Sequence, residues 1–410
     1  MHTSKSSRRL HLGRSPLVAA LAAGAIAAGG LVAAGTGWAG PAPAGKDVAA
    51  TPARVAGQWQ AAKVPVAKGD ITAVAALSDK QAWSVGYRLK SDTELEALAL
   101  HWDGTSWTRQ STLPGGSFPQ ALAVRSASDI WAVGATAAHW DGTSWTTRNL
   151  DRDPAGRLTP DAVVTTSDGK AWTAGRAVPQ GIKNGVPAIQ AWDGTAWRRQ
   201  TLPDVGKGEL TSLTAVAPDD IWAAGTSFAT DEAAETALLL HWDGTSWTRA
   251  TAPTAAKDEH RWLSGITALG ADDIWAVGGS TSKGGDRPYA VHWDGKKWTD
   301  AATPEIADGR LRAVGRAGDG KLWAVGGKGA VSLALRFDTQ QRRWEKAADP
   351  GVVVRGFTTV PGTADLWTVG IAKQGDLIPA VTRFRHSRKL QQPSTLRQLW
   401  HHSSQLHTSC

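Results

Sequence analysis

The 410-residue sequence has little of three residue types that often carry structure or chemistry, with one Cys, one Met and two Tyr. The single Cys, Cys410, excludes an intramolecular disulfide and a zinc site built from cysteines. Only Tyr87 and Tyr289 are candidates for a sialidase-type nucleophile. The sequence also lacks a Gly-x-Ser-x-Gly elbow, a His-Glu-x-x-His pair and a phosphate-binding loop. These absences favour a protein that is not an enzyme, and they predict no cofactor and no metal.

An excess of charge of one sign is also absent from the middle of the chain. The whole sequence has 45 basic and 37 acidic residues, a net charge of +8. Residues 1–39 and 385–410 contain 4 basic residues each and no acidic one, so 45 − 8 = 37 basic residues balance the 37 acidic ones between them. Because a groove for nucleic acid needs a local excess of Lys and Arg, we predict no nucleic-acid partner.

Residues 1–44 have the order of an export signal, with a basic stretch, an apolar Ala-rich stretch and then small residues. The run Ser7-Arg8-Arg9-Leu10-His11-Leu12 resembles a twin-arginine signal, and an ordinary Sec signal is the alternative. Residues 45–56 are typical of a flexible Ala/Pro linker. We therefore expect a secreted protein with no stable membrane anchor after cleavage. The Ala and Gly bias suggests a bacterial chain.

The body of the chain repeats itself at a period of about 47 residues. A unit of an apolar residue, Trp, two small or Val residues and Gly recurs seven times. After each unit come a second aromatic residue, a turn that is mostly Asp-Gly, and a third aromatic residue. A short β-branched and Ala-rich run precedes each unit. Four short strands per repeat, named a to d in chain order, are typical of a β-propeller blade. The Trp of the unit lies at positions 83, 131, 172, 222, 275, 323 and 367.

The seventh unit lacks its own strand d, and the missing strand lies at the other end of the repeats. Gly57-Gln58-Trp59-Gln60 matches the start of strand d in the other units. Pairing this segment with the last strand c would close the ring and remove two free sheet edges. We therefore predict an all-β, seven-bladed propeller over 57–384, with four antiparallel strands per blade. Residues 385–410 break the pattern and are predicted to be a disordered tail or the product of a frameshift.

Nineteen of the 22 Trp residues fall in the three repeated aromatic columns, and Trp38, Trp262 and Trp400 do not. We predict that the nineteen pack between the flat faces of neighbouring blades. Four histidines recur before the second aromatic residue. They lie in different blades, so they cannot share one metal ion, and we interpret them as polar spacers on an exposed strand face. They are His101, His139, His241 and His292.

The connections b–c and d–a carry most of the variation in length and charge, and they lie on one face of the ring. Binding usually resides in variable loops on a rigid scaffold, so this face is the predicted binding face. Trp262 is the only propeller Trp outside the columns, and a Trp beside carboxylates and Arg suits sugar recognition. Packing of Trp262 under the ring entrance is the alternative. The candidate ligand-binding residues are Asp258, Glu259, His260, Arg261 and Trp262.

The segments Asp272-Asp273-Ile274-Trp275-Ala276-Val277-Gly278 and Trp293-Asp294-Gly295-Lys296-Lys297-Trp298 carry a family resemblance. This pattern resembles the tectonin and Asp-box (BNR-like) propeller repeats, over about 57–384. A tectonin-like lectin would bind carbohydrate. We therefore expect a secreted, monomeric binding module for glycans. The alternatives are an extracellular protein–protein scaffold and, in a different class, a glycosidase- or lyase-like propeller enzyme.

Overall fold

A computed structural model describes residues 57–114, 118–151, 156–178, 185–228, 234–328, 331–373 and 377–386. The predicted export signal, the linker and the tail beyond 386 lie outside these residues. The described segments form seven four-stranded antiparallel sheets, which confirms the predicted fold class. No helix in these segments is long and apolar enough to cross a membrane.

Each sheet is one blade, and its strands follow the order a, b, c, d. Blade 1 contains β2 (Gly69–Ser78), β3 (Gln81–Leu89), β4 (Leu95–Trp102) and β5 (Trp107–Thr112). Blade 2 contains β6 (Pro119–Ser126), β7 (Asp129–Gly134), β8 (Ala137–Trp140) and β9 (Trp145–Arg148). Blade 3 contains β10 (Arg157–Thr165), β11 (Ala171–Val178), β12 (Val186–Trp192) and β13 (Trp197–Arg199). Blade 4 contains β14 (Lys207–Ala217), β15 (Asp220–Phe228), β16 (Thr236–Trp242) and β17 (Trp247–Arg249).

The remaining three blades follow the same plan. Blade 5 contains β18 (His260–Gly270), β19 (Asp273–Ser282), β20 (Gly285–Trp293) and β21 (Trp298–Asp300). Blade 6 contains β22 (Leu311–Arg316), β23 (Leu322–Lys328), β24 (Val331–Asp338) and β25 (Arg343–Lys346). Blade 7 contains β26 (Val352–Thr359), β27 (Leu366–Ala372), β28 (Pro379–His386) and, as its strand d, β1 (Gly57–Ala62).

The ring is closed by the N-terminal strand, as the sequence predicts. Strand β1 pairs antiparallel with β28, from Gly57 opposite His386 to Ala62 opposite Val381. The innermost strands also form a closed circle, because each strand a contacts the next and β26 contacts β2. The seven a strands therefore surround a central channel.

Aromatic residues fill the interfaces between blades. At each of the seven interfaces the strand-b Trp of one blade meets the strand-c and strand-d aromatic residues of the next, and we call these groups the aromatic triads. Measured ring-centroid distances within them run from 4.5 to 6.1 Å. Of the nineteen repeated Trp residues, fifteen are buried and the other four are half-buried, which confirms their packing role. The triads are 83/140/145, 131/192/197, 172/242/247, 222/293/298, 275/337/344, 323/384/59 and 367/102/107.

The repeated histidines are more than the polar spacers that the sequence suggests. In blade 4, Asp220 Oδ1 accepts a hydrogen bond from Trp222 Nε1 at 2.9 Å and lies 2.9 Å from His241 Nε2. The His241 ring stacks on Trp222, with centroids 4.2 Å apart. Blades 2 and 5 repeat the Asp–His contact, so this column fixes the strand-b Trp against its own blade.

Blade 1 lacks the acidic member of this arrangement. Gln81 occupies the position that Asp220 holds in blade 4. The Nε2 atom of His101 is buried without a hydrogen-bond partner among the described residues, and burial lowers the pKa of His101. Of the four blades that carry the repeated histidine, blade 1 alone therefore has an incomplete copy of this contact.

The Asp-Gly segments form the hairpin turns predicted from the sequence. In the first of them, the backbone N–H groups of Thr105 and Ser106 each donate to Asp103 Oδ1 at 2.8 Å. Gly104 has a φ of 99°, which a residue with a side chain rarely adopts. These turns lie on the face of the ring opposite the predicted binding face.

Candidate functional site at the mouth of the central channel

The seven a strands share an irregularity that the sequence analysis misses. Near the start of strand a in every blade, the pairing with strand b skips one residue of strand a, which forms a β-bulge. Bulges re-aim side chains and are common beside functional sites. All seven skipped residues are polar, and all seven line the same cavity; we call them the bulge ring. They are Thr72, Gln120, Asp161, Thr211, Ser264, Arg312 and Arg355.

The glycine of the repeated strand-b unit explains why the bulge recurs. This glycine pairs with the strand-a residue just before the bulge, for example Gly175 with Pro160 and Gly326 with Leu311. A Cβ atom on any of the seven would lie only 2.0 to 2.1 Å from a carbonyl oxygen of strand a. The repeated glycine therefore lets the bulged strand approach closely, and the bulge directs a polar side chain into the channel.

The cavity that the ring lines has a volume of about 980 Å³. It also contains residues from the ends of the b strands, such as Tyr87, Arg176 and Lys328. The b strands end, and the a strands begin, on the b–c/d–a face. The structure thus places this channel mouth on the face that loop variation singles out in the sequence.

The charged residues of the mouth are arranged unevenly around the channel. Arg312 and Arg355 come from the adjacent blades 6 and 7, whereas Asp161 comes from blade 3, on the other side of the ring. Arg355 Nε donates to Asp70 Oδ2 at 3.0 Å, which neutralises this arginine. Asp70 is only 4% exposed, and burial raises the pKa of its carboxyl although Arg355 opposes the shift.

Arg312 and Asp161 differ from that pair because neither side chain makes a hydrogen bond to another described residue. The Arg312 side chain is exposed to the open channel. The protein around the channel still lowers the pKa of its guanidinium by partial desolvation, as does the charge of Arg355. Burial raises the pKa of Asp161 to about 6; Glu209 adds to the increase, and Arg176 and Arg312 oppose it. The mouth therefore holds one cation and one carboxyl whose polar atoms the described protein leaves unbonded.

The neutral members of the bulge ring divide into two groups. The Thr72 hydroxyl donates to the carbonyl of Pro119 in the next blade at 2.7 Å, and the Thr211 hydroxyl donates to that of Leu263 at 2.8 Å. These threonines join neighbouring blades. Gln120 and Ser264, in contrast, have no side-chain hydrogen bond within the described residues and remain available to a ligand.

Among the five residues predicted as a ligand site, Trp262 and His260 lie in or beside the mouth. Both line a second cavity of about 750 Å³ that shares Trp262, Glu209 and other residues with the first. The guanidinium of Arg310 lies over the half-buried Trp262 ring, 5.1 Å from its centroid. Trp262 packs under the ring entrance and also lines the cavity, and its part in sugar recognition stays a prediction.

The other three predicted residues lie elsewhere. Arg261 points to the opposite face of its strand and contacts Asp300 and the Tyr289 hydroxyl at 3.3 and 3.2 Å. Glu259 pairs with Arg261 at 3.0 Å. Although burial would raise the pKa of Glu259, hydrogen bonds from Arg261 and from the backbone of Ala256 lower it. Asp258 is exposed, with a φ of 63°. The structure therefore places His260 and Trp262 on one face of β18 and Arg261 on the other, with Asp258 and Glu259 just before the strand.

The sequence does hold a signal for the bulge ring. Each ring residue is a polar residue between an apolar residue and a small one, as in Pro160-Asp161-Ala162 and Leu311-Arg312-Ala313.

As for metals, no group of three or more His, Cys, Asp and Glu side chains in the described residues is placed to hold an ion.

Comparisons with known proteins give the fold and no family. No protein-family model matches the chain, and no curated protein matches it by sequence. A structure titled YCF48 bound to D1 peptide is similar at 16% identity and a TM-score of 0.53, covering 80% of this chain and 95% of that one. The WD40 propeller domain of Doa1 is similar at 9% identity and 0.55, covering 80% and 98%. Streptogramin B lyase is similar at 12% identity and 0.56, covering 81% and 98%. These likenesses show a β-propeller, and membership of the tectonin or Asp-box type stays a prediction.

Proposed function

We propose that this protein is an exported binding module that takes part of a glycan into the mouth of its central channel. One observation carries the proposal: seven equivalent backbone positions each present a polar side chain to one cavity, and those side chains differ around the ring. A position kept only for packing would repeat its residue, as the aromatic columns do. The variation is typical of a surface that matches an asymmetric ligand.

The chemistry of the mouth suits a sugar. Sugar hydroxyls both donate and accept hydrogen bonds, and Gln120, Ser264, Asp161 and Arg312 offer both functions without partners in the described protein. Trp262 is fixed at the edge of the cavity by Arg310 and by contact with Gly279. Ligand sites commonly combine such an aromatic surface with a few convergent polar groups. The export half of the proposal is supported only by the N-terminal sequence pattern.

A glycan array probed with the full chain tests this function, and two variants on one strand make it specific. Ser264→Leu places an apolar side chain in the bulge ring. Thr267→Leu makes a matched change near the other mouth of the channel, where Thr267 lines a separate cavity. We expect glycan signals that Ser264→Leu removes and Thr267→Leu retains, with both variants unfolding at the same temperature. Signals that survive Ser264→Leu would move the site away from the bulge ring.

A protein partner is the second candidate. It is supported by the similar YCF48 propeller, which is bound to a D1 peptide. A peptide inserted at the mouth would meet the same polar groups, so the array should be run beside a peptide library. Binding of peptides with no glycan signal would replace the glycan proposal with this one.

A further inference from the structure

Arg312 stands out among the arginines of the channel mouth, because the others are already paired. Arg355 is bonded to Asp70, Arg310 donates to Asp286 at 2.7 Å, and Arg176 donates to Glu209 at 2.7 Å. Arg312 has no hydrogen-bond partner among the described residues. A guanidinium has five N–H donors in a planar fork that matches a carboxylate in two places. Arg312 therefore offers a free anion-binding group inside a concave site.

A second unmet group lies in the same cavity. The half-buried carboxyl of Asp161 lines it and makes no hydrogen bond to another described residue. Asp70 Oδ1 also lacks a partner among the described residues, but it is closed off from the cavity surface, so a ligand does not reach it. A ligand that combines a hydroxyl group for Asp161 with an acidic group for Arg312 would satisfy both.

The surrounding charges distinguish between kinds of anion. Four of the five cations that line the cavity are paired with carboxylates, so Arg312 is the one unpaired cation among the described lining residues; the paired ones are Arg176, Arg310, Arg355 and Lys328. One unpaired guanidinium balances a single negative charge, whereas a phosphate monoester carries nearly two at neutral pH. A carboxylate carries one charge and has the planar shape that the guanidinium fork fits.

We propose that the bulge ring binds a uronic acid residue of a glycan, with Arg312 as the group that holds its carboxylate. This inference rests on the proposed glycan-binding function and gives it a ligand class. The uronate carboxylate receives two N–H groups from Arg312. The sugar hydroxyls bond to Asp161, Gln120 and Ser264.

Calorimetric titration of the full chain with oligomers of galacturonate, glucuronate and mannuronate tests the proposal. The methyl esters of the same oligomers serve as probes that lack the charge. We expect at least one free acid to bind, and Arg312→Gln to weaken it by about 10- to 100-fold, the loss typical of a charged hydrogen-bonded pair. Esterification should have a similar effect on the wild type and little further effect on Arg312→Gln.

Arg316→Gln is the matched control, because it removes the same charge from the same strand at the other mouth, where Arg316 is exposed. It should bind the free acids as the wild type does. Equal weakening by both variants would reduce the effect to net charge and overturn the role of Arg312. Binding of neutral glycans but of no uronate would overturn the uronate proposal and leave the proposed function intact. Binding of poly-glutamate peptides with no glycan binding would overturn both.

The pH dependence of the binding affinity gives a second readout. A purely structural role of Arg312 would not produce it. Asp161 faces the channel beside Glu209 and Arg176 and across from Arg312. Its protonation between pH 7 and pH 5 removes a negative charge from the site while a uronate stays charged. Affinity should therefore rise as the pH falls, and Asp161→Asn should bind more tightly at pH 7 and lose most of this dependence. Affinity that does not change with pH would contradict the proposed position of the carboxylate.

Discussion

The aromatic triads and the bulge ring are both repeated seven times, but they repeat different things. The triads repeat both a backbone position and a residue type, with Trp in all but two of their 21 places. The bulge ring repeats only the backbone position, and its side chains are Thr, Gln, Asp, Thr, Ser, Arg and Arg. The triads bury their rings between blades, whereas the ring leaves several polar groups unbonded in a cavity. In this propeller a repeated residue type accompanies a structural role, and we propose that the repeated position with changing residues serves a ligand.

The largest expected effect comes from adding a side chain at the strand-b glycine, where the bulged strand a approaches closely. Gly175→Ala places a Cβ atom 2.0 Å from the carbonyl oxygen of Thr159, which the backbone must move to accommodate. We expect a loss of roughly 5 kcal/mol in the free energy of unfolding, at the upper end for single substitutions. Denaturant unfolding followed by Trp fluorescence measures it. The control Gly194→Ala has a positive φ but nothing within 4 Å, so it should cost about 1 kcal/mol. Equal losses would show that close approach is not what requires glycine.

Removing one aromatic side chain from a triad should have the next largest effect on the free energy of unfolding. Trp131 is 2% exposed and contacts Trp192 and Trp197, each with a centroid distance of 5.1 Å. Trp131→Ala should reduce the free energy of unfolding by about 3–5 kcal/mol, the usual range for a buried aromatic residue. Trp262→Ala should cost clearly less because Trp262 is half-buried and outside the triads. Equal losses would contradict the view that the triads, and not Trp262, stabilise the fold.

A smaller effect is expected in the bulge ring, and it has the opposite sign. The folded-state pKa of Asp161, about 6, lies above the value of about 4 in an unfolded chain. Charging this carboxyl therefore reduces stability as the pH rises from about 4 to about 6. Asp161→Asn should stabilise the protein at pH 7, on the order of 1 kcal/mol after allowing for water in the channel. The gain should vanish below about pH 4.

The control for this measurement is Asp92→Asn, on an exposed loop, which should not change stability with pH in this way. Chemical unfolding at pH 4, 5, 6 and 7 gives both curves. A ring residue whose removal increases stability would be retained for a purpose other than folding. Destabilisation by Asp161→Asn at pH 7 would instead assign Asp161 to the scaffold.

The smallest effect tests the incomplete bracing contact of blade 1. Gln81→Asp should supply the carboxylate that His101 lacks, add about 0.5–1 kcal/mol of stability, and raise the pKa of His101 from its lowered value. The added stability should be largest below the lowered pKa that His101 has in the wild type, and it should decline as the pH rises through the new pKa. An NMR titration of the His101 ring checks the shift, with Gln81→Asn as the uncharged control. An unchanged pKa would mean that blade 1 differs from blade 4 in more than this residue.

The sequence was sufficient to predict the blades, the closure by Gly57–Ala62 and the role of the Trp columns, since each depends on a pattern repeated along the chain. The bulge ring was missed because a bulge is a relation between two strands. Thr72 and Arg312 look like ordinary polar residues until the pairing register of their strands with β3 and β23 is known.

The candidate site was predicted only in part, for a similar reason. Trp262 and His260 were found from an unusual local composition, and both line a cavity. Arg261 was grouped with them because it is adjacent in the chain. Adjacent residues of a strand point to opposite faces, so Arg261 is directed to Asp300 instead.

The bulge geometry depends on the strand-b glycine and not on the identity of the bulged residue. The ring positions whose side chains make no hydrogen bond to another described residue can therefore be exchanged separately, and Gln120 and Ser264 are the neutral ones. A substitution at either changes the lining of the mouth without breaking a hydrogen bond between blades. If the mouth binds a ligand as we propose, its specificity can change one blade at a time, by natural selection or by protein engineering, while the fold stays the same.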